Sequence, residues 1–584
     1  MASAASQAAA ASRRGSALTS TSRTVDAATA AWLCALPVAA TVAASILLLG
    51  PVVGGPLRPS ASFTFLPQSE GAVYDESTEH ARYLIALTGP LLLALATWWA
   101  VRRRVALPPR VASIGTTLAQ LALAAVLVAC VVYQYGITYG PVYTRTVGVV
   151  TTDRYFNPAT LVVAGAVAVA LLLAARSVHA RQLYAAVARE SPTRRWTLLA
   201  VAVLLTATWL LHAVNSDASI ASVPEAIRYH LEFTLDEAFA VTNGLTPLVD
   251  FNPQYSALWP FGSALVMQVA GESLLVFSIA LSALTAISLL AIYGVLRRVT
   301  GSSASALLLY VPFLATSMFV IGAVTVNRGS FGNYFGVFPL RYAGPYLLAW
   351  LTARRLERGG GAVGLWLLFS AAGLVLINNA DFGVPALGAC VAALLWTGAV
   401  RGRLRTLALS LVAGLATAAA LVVLLTLVRA GSLPQPGRIF EYARVYTRGG
   451  YTMLPMPPFG VHVALYLTYV GALGVATVRA LRGARDRVLT GMLAWSAIFG
   501  LGAASYYVGR SHPEALRAMF SAWALALVLL AVAALRALST RPAPRRPIVI
   551  AVALFGFGIA VCSIAQLPAP WSQLRRIEAG FVPG

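Results

Sequence analysis

Asp236 and Glu237 stand side by side in the stretch YHLEFTLDEAFAVTNGLTPLVDFNPQYSALWP, and Asp250 follows them beyond Gly244 and Pro247. Adjacent carboxylates on a short helix, with a third acid after a Gly/Pro turn, can surround a polar acceptor. The plain alternative is a set of solvated acids on a loop. Tyr255 and Trp259 carry rings that can stack on a sugar or join an aromatic belt at a membrane surface.

Cations of the matching kind lie elsewhere in the chain. VNRGSFGNYFGVFPLRYAGP contains Arg328 and Arg341, Arg438, Arg444 and Arg448 follow one another in a later loop, and YYVGRSHPEALR holds Arg510, His512 and Arg517. Arginine offers a planar fork that pairs with phosphate oxygens, and a neighbouring imidazole can add a donor. Anchoring to lipid headgroups is the other reading, favoured for Arg438 and Arg444. INNADFG sets Asn378, Asn379 and Asp381 at the end of an apolar run, either to cap a turn or to bind an acceptor. His212 and His462 lie near span ends and read as interfacial.

The elements that must position these residues are membrane helices. The chain is 59% hydrophobic and only 11% charged, and its mean hydropathy is +0.76; a soluble domain carries about 25% charged residues. Continuous apolar runs of about 18–25 residues recur along it, the length that crosses a hydrocarbon core as helix. They do not alternate, so helices are expected rather than a barrel. About fifteen spans are expected, making an all-α polytopic fold. The piece WPFGSALVMQVA is too short to span and is expected to lie in the interface or to re-enter. The four cysteines, Cys34, Cys130, Cys390 and Cys562, fall inside these runs without metal or disulfide spacing.

Charge sorts by side. The formal charge is +23, and every basic residue is arginine. Arginine clusters close every even-numbered span, which marks topology before it marks a nucleic-acid footprint. The N-terminus and these loops are therefore expected to be cytoplasmic. Of the 20 acids, only Asp26, Glu190, Glu357 and Asp486 fall on that side. The expected division is a disordered N-terminus (1–28), a four-span unit (29–196), a larger transmembrane unit (197–566) and an outside tail (567–584). Internal repeats are not evident, so an inverted-repeat transporter has no positive support.

LDEAFAVTNGLTPLVDF followed by PQYSALWP resembles the first extracytoplasmic loop of GT-C fold integral membrane glycosyltransferases, the superfamily of protein mannosyltransferases and aminoarabinose transferases. Asp236-Glu237, the Gly244-Leu245-Thr246-Pro247 turn and Asp250 occupy the places of the family pattern. The preceding four spans depart from it, and the loop lacks the His-Pro-Pro element of the protein mannosyltransferases. The resemblance implies a GT-C-like catalytic unit that takes a sugar from a polyprenyl-phosphate carrier at the outer face of a bacterial cytoplasmic membrane. The acceptor would be a cell-envelope glycan, lipid or protein, and nucleic acid would not be a partner. Asp236 would be the general base, assisted by Glu237. Asp250, Tyr255, Trp259, Asn379 and Asp381 would hold acceptor or sugar. Arg510, His512, Arg328, Arg341 and Arg448 would meet the donor phosphate. No metal ligands are assigned, and a divalent cation (Mg or Mn) is the one cofactor left open. A lipid-linked-sugar flippase or other transporter is the alternative, and it requires ionisable residues within the spans.

Overall fold

The computed structural model describes residues 158–210, 214, 225–322, 338–399, 402–441, 460–508, 513–539 and 546–564, with isolated positions between 96 and 130. Apolar runs become helices here because a helix pairs its own backbone groups wherever lipid offers no partner. In chain order these are α1 (Pro158–Arg176), α2 (Val178–Val187), α3 (Pro192–Leu210), α4 (Glu225–Thr242), α5 (Trp259–Ala270), α6 (Leu274–Thr300), α7 (Ser303–Gly322) and α8 (Ala343–Arg358). There follow α9 (Ala362–Asn378), α10 (Ala380–Trp396), α11 (Leu404–Ala430), α12 (Val461–Leu481), α13 (Arg487–Ala503), α14 (Ser505–Val508), α15 (Pro513–Ala518), α16 (Phe520–Ser539) and α17 (Arg546–Ile564). No strand occurs among the described residues, and the fold is that of an all-α membrane protein.

Six described helices are long and apolar enough to cross a membrane: α1, α6, α11, α12, α16, and α13 continued through α14. Shorter apolar stretches lie within α7, α9, α10 and α17. The centre of the bundle is α13 and α16, whose apolar windows are each 78% buried, against 17% for α1 and 22% for α11. Around that centre α13 packs against α10, α12, α8 and α16, α6 lies against α8, and α9 lies along α11. Glycine permits the last contact: a Cβ on Gly414 would sit 2.6 Å from Phe369 Cβ, and one on Gly373 equally close to Ala418 Cβ. Small residues at crossings are how helices in lipid approach closely enough for dispersion to hold them. The four-span unit expected at 29–196 contributes α1, whose main partner among the described helices is α17 near the other end of the chain.

The arginine-bearing helix ends meet one another. Arg298 at the end of α6 pairs with Glu357 at the end of α8 at 3.0 Å. Asp486 caps α13 by accepting from Leu489 N–H at 3.1 Å, and its other oxygen faces Arg479 at 3.7 Å and pairs with Arg536. Glu190, between α2 and α3, accepts from the backbone N–H and hydroxyl of Ser303, both at 2.6 Å. Burial would raise the pKa of Glu190, but the two Ser303 bonds and Arg297 outweigh it and hold the group below its ordinary value. All three acids expected on the arginine side and lying among described residues are thus engaged there.

Candidate functional site

The carboxylate segment is built on α4, whose Thr234, Ala238 and Val241 form one buried stripe at i, i+4, i+7. Asp236 falls opposite that stripe and is exposed, while Glu237 flanks it and is partly covered. Glu237 Oε1 accepts from the backbone N–H of Gln254 at 2.5 Å, which fastens the returning chain to the helix. Burial pushes the Glu237 carboxyl up to about 8, against the pull of the Gln254 N–H, and the charge of Asp236 pushes the same way as burial. At neutral pH Glu237 is therefore chiefly protonated.

After α4 the chain turns at Gly244, whose φ of +94° suits a residue without Cβ. Asp250 Oδ2 accepts from Thr246 N–H at 2.7 Å and closes the next turn. Leu248 inside that turn has φ +68°, uncommon for a residue with a Cβ. It is held there by burial and by three backbone bonds of the loop: its N–H donates to Phe251 O, its carbonyl accepts from Gln435 N–H, and Asp250 N–H donates to Thr246 O. The short apolar piece expected at the interface forms α5, a 12-residue helix.

A second corner meets this segment. α9 and α10 join through Asn379 alone, and Gly383 lets α10 fold back: a Cβ there would lie 2.5 Å from Leu376 Cα. Asn379 caps α10, accepting from Phe382 N–H at 3.0 Å, and its amide donates to Tyr255 O at 2.9 Å. Asn378 Oδ1 accepts from the N–H groups of both Leu258 and Trp259 at 3.1 Å, and its carbonyl accepts from Ala257 N–H at 2.8 Å. The turn-and-cap reading of INNADFG is what the geometry contains, extended to the start of α5.

Arg341 enters the same place just before α8. It is 4% exposed, with Tyr255 on one side at 5.1 Å and Tyr506 on another at 4.5 Å from ring centroid to guanidinium carbon. Asp381 Oδ2 lies 4.0 Å from its Nη2, and Nη1 is 3.5 Å from the Tyr506 hydroxyl. Burying a guanidinium requires such company, since an unpaired buried charge is costly. Gln254, Tyr255, Arg341, Asn379 and Asp381 line one small cleft. Beneath it Phe382 and Phe499 meet Tyr342 and each other edge to face, and Tyr346 lies tilted against Tyr342. Tyr342 donates to Ala518 O at 2.6 Å, so the floor joins α8, α10, α13 and α15.

Of the residues expected at a site, Asp236, Glu237, Asp250, Tyr255, Trp259, Asn379, Asp381 and Arg341 are described. Tyr255, Asn379, Asp381 and Arg341 come together in one cleft. Glu237 reaches it through Gln254, and Trp259 packs half-buried at the start of α5. Asp236 and Asp250 are exposed on neighbouring turns. Arg328, Arg448, Arg510 and His512 lie outside the described residues, as do Arg444 and His212. His462, expected at the interface, is fully buried beside Tyr507. Among the described residues no three His, Cys, Asp or Glu side chains gather to hold a metal ion. Thr246 and Gln254 already take oxygens of Asp250 and Glu237.

Two further residues act here, of which only Arg429 goes unremarked in the sequence. Asn378 was weighed only as part of its motif, yet it binds three consecutive N–H groups of the incoming chain. Arg429 ends α11 and donates to the Val241 carbonyl at the C-terminus of α4, with its guanidinium 5.7 Å from the Phe261 ring. A cation near the last turn of a helix is the recognisable signal, but only when the helix belongs to the same stretch of chain. No family model matches this chain, and neither a curated protein nor a solved structure shows significant similarity to it.

Proposed function

We propose that this chain is a membrane glycosyltransferase that moves a sugar from a polyprenyl phosphate to a cell-envelope acceptor. It would cross a bacterial cytoplasmic membrane about fifteen times, with the N-terminus and the arginine-rich face inside. One observation carries the reading: Gln254 and Tyr255, which follow the carboxylates and are fastened to Glu237, line one cleft with the enclosed Arg341 and the Asn379–Asp381 corner, at helix ends other than those that bear the arginine clusters. A translocation path would instead place ionisable groups along the spans. Arg341 sits at a helix entry, and its neighbours are other helix ends.

In this reading Asp236 takes the proton of the acceptor hydroxyl as that oxygen attacks the anomeric carbon. A positioned carboxylate contributes about 10²–10⁴-fold in such a step. The bond from the anomeric carbon to the carrier phosphate breaks, and the phosphate leaves with its electron pair as a stable anion. Protonation of the leaving group, which glycosidases supply with a second carboxyl, is therefore unnecessary. Positive charge at the departing phosphate falls to Arg341, whose orientation Tyr255, Tyr506 and Asp381 fix. Neutral Glu237 holds the loop and spares Asp236 an adjacent negative charge. No step in this reading is assigned to a cation.

The test is transfer by purified protein from radiolabelled polyprenyl-phosphate sugars to a panel of envelope acceptors. Asp236→Asn should lose at least about 10²-fold in turnover while eluting and melting like the parent. Full activity in that variant rejects the base assignment. Donor binding without transfer across the whole panel rejects the enzyme reading in favour of a flippase.

A further inference from the structure

A larger cleft opens among the arginine-bearing helix ends and takes no part in the proposed transfer. It has a volume of about 780 Å³ and lies between the turn joining α10 to α11 and the turn joining α12 to α13. Its lining combines two chemistries. Arg485 and Arg487 stand beside Thr397 and Thr490, and Leu395, Trp396 and Leu404 supply apolar wall. Leu395 and Leu404 are 41% and 62% exposed. Gly398, Gly402 and Gly483 turn with φ between +62° and +74° and add no side chain of their own to the space.

The charge balance of the cleft is one-sided. Asp486, between the two arginines in sequence, is not among its lining residues, since it caps α13 and pairs with Arg479 and Arg536. Arg298, Arg355 and Arg479 on the same face are engaged with Glu357, the 359–361 carbonyls and Thr490. No hydrogen bond or ion pair among the described residues engages the guanidinium of Arg485 or Arg487. Two cations thus face a cleft with no carboxylate among its described lining residues, beside exposed leucines at the mouth of a membrane bundle.

We propose that this cleft binds a phosphate-bearing amphiphile, with the phosphate at Arg485 and Arg487 and an acyl chain along Leu395 and Leu404. The inference is independent of the sugar-transfer reading and needs no assay of activity. A lipid phosphodiester and free inorganic phosphate share the anion chemistry, and the two arms of the experiment separate them.

In the first arm, the full chain is reconstituted in nanodiscs of equimolar phosphatidylcholine and phosphatidylglycerol, and lipid retained after detergent extraction is read by native mass spectrometry. In the second, protein in detergent is melted with and without inorganic phosphate. The parent should retain phosphatidylglycerol, and Arg485→Gln with Arg487→Gln should weaken retention roughly thirtyfold, as expected for two surface arginines facing anionic lipid. Leu395→Ala with Leu404→Ala should weaken lipid retention without changing any response to phosphate. The control pair Arg189→Gln with Arg358→Gln removes two arginines of the same face outside the cleft and should retain lipid like the parent. Stabilisation by phosphate alone, lost in the Arg485/Arg487 variant, would keep the anion site and reject the lipid. Equal behaviour of the parent and that variant in both arms, or equal loss in the control pair, overturns the proposal. Should the double variant aggregate, the two single substitutions give the same comparison.

Discussion

Asp236 and Glu237 are neighbours in the chain with opposite surroundings, because successive helix positions point about 100° apart. One meets solvent; the other meets Gln254 and the loop. The titration of Glu237 has a definite sign. An unfolded glutamate titrates near 4.3 (roughly), whereas burial holds this one up to about 8. Folding therefore takes up a proton between those values, and stability falls as pH rises through that window. Hydrogen exchange across 253–257, corrected for its intrinsic pH dependence, should accelerate as pH rises towards about 8 and level off above it. Glu237→Gln should flatten that response, since a neutral amide retains the acceptor oxygen. A parent profile without any excess acceleration would mean that the carboxyl does not hold the loop. The pair itself was legible as an acidic pair, but not its asymmetry: that depends on which face of α4 meets the returning chain.

At the scale of elements, the site is a meeting of helix ends. Asn378 closes α9 and also satisfies N–H groups at the start of α5, residues 120 and 119 positions away. The first turn of a helix has no backbone acceptors of its own, so the amide oxygen replaces a cap that Leu258 cannot provide. Asn378→Ala should leave those donors unsatisfied at a cost of about 1–3 kcal/mol, and should make 253–259 cleavable by a protease at concentrations the parent resists. Asn378→Asp, which keeps the oxygen, should stay closer to the parent. Equal resistance in parent and Ala variant would show that the contact does not hold α5. Apolar periodicity and length made the helices themselves readable, including the short α5. The joining contacts were not readable, because a side chain bonded to distant backbone leaves no pattern in either local sequence.

Across the whole molecule the sorting of charge has become a sorting of structure. Arg298–Glu357, Arg536–Asp486 and Glu190–Ser303 tie together ends of α6, α8, α16, α13 and α7, and Arg429–Val241 and Asn378–Leu258 tie other ends. The arginine clusters were legible along the chain, and at Arg298 and Arg536 they mark described helix ends that contact one another. In right-side-out vesicles, a cysteine replacing exposed Asn243 should react with a membrane-impermeant thiol reagent, and one replacing Arg358 only after permeabilisation. The reverse pattern would invert the proposed orientation. The buried Cys130 and Cys390 should contribute little background. The boundary near residue 196 followed a polar linker, and that linker joins elements which the fold binds closely to the rest.

The contact of α1 with α17 also bears on the order of manufacture. Leu171 of α1 packs where a Cβ on Gly556 would be only 2.1 Å from it, and Ala175 shares a cluster with Val549 and Val552. A ribosome delivers α1 long before α17. Among the described helices, α1 therefore waits in the bilayer without its main neighbour until α17 is inserted. Assembly among the described helices closes a ring in sequence when α17 arrives, and loss of α17 during synthesis would be felt first at residues made hundreds of positions earlier.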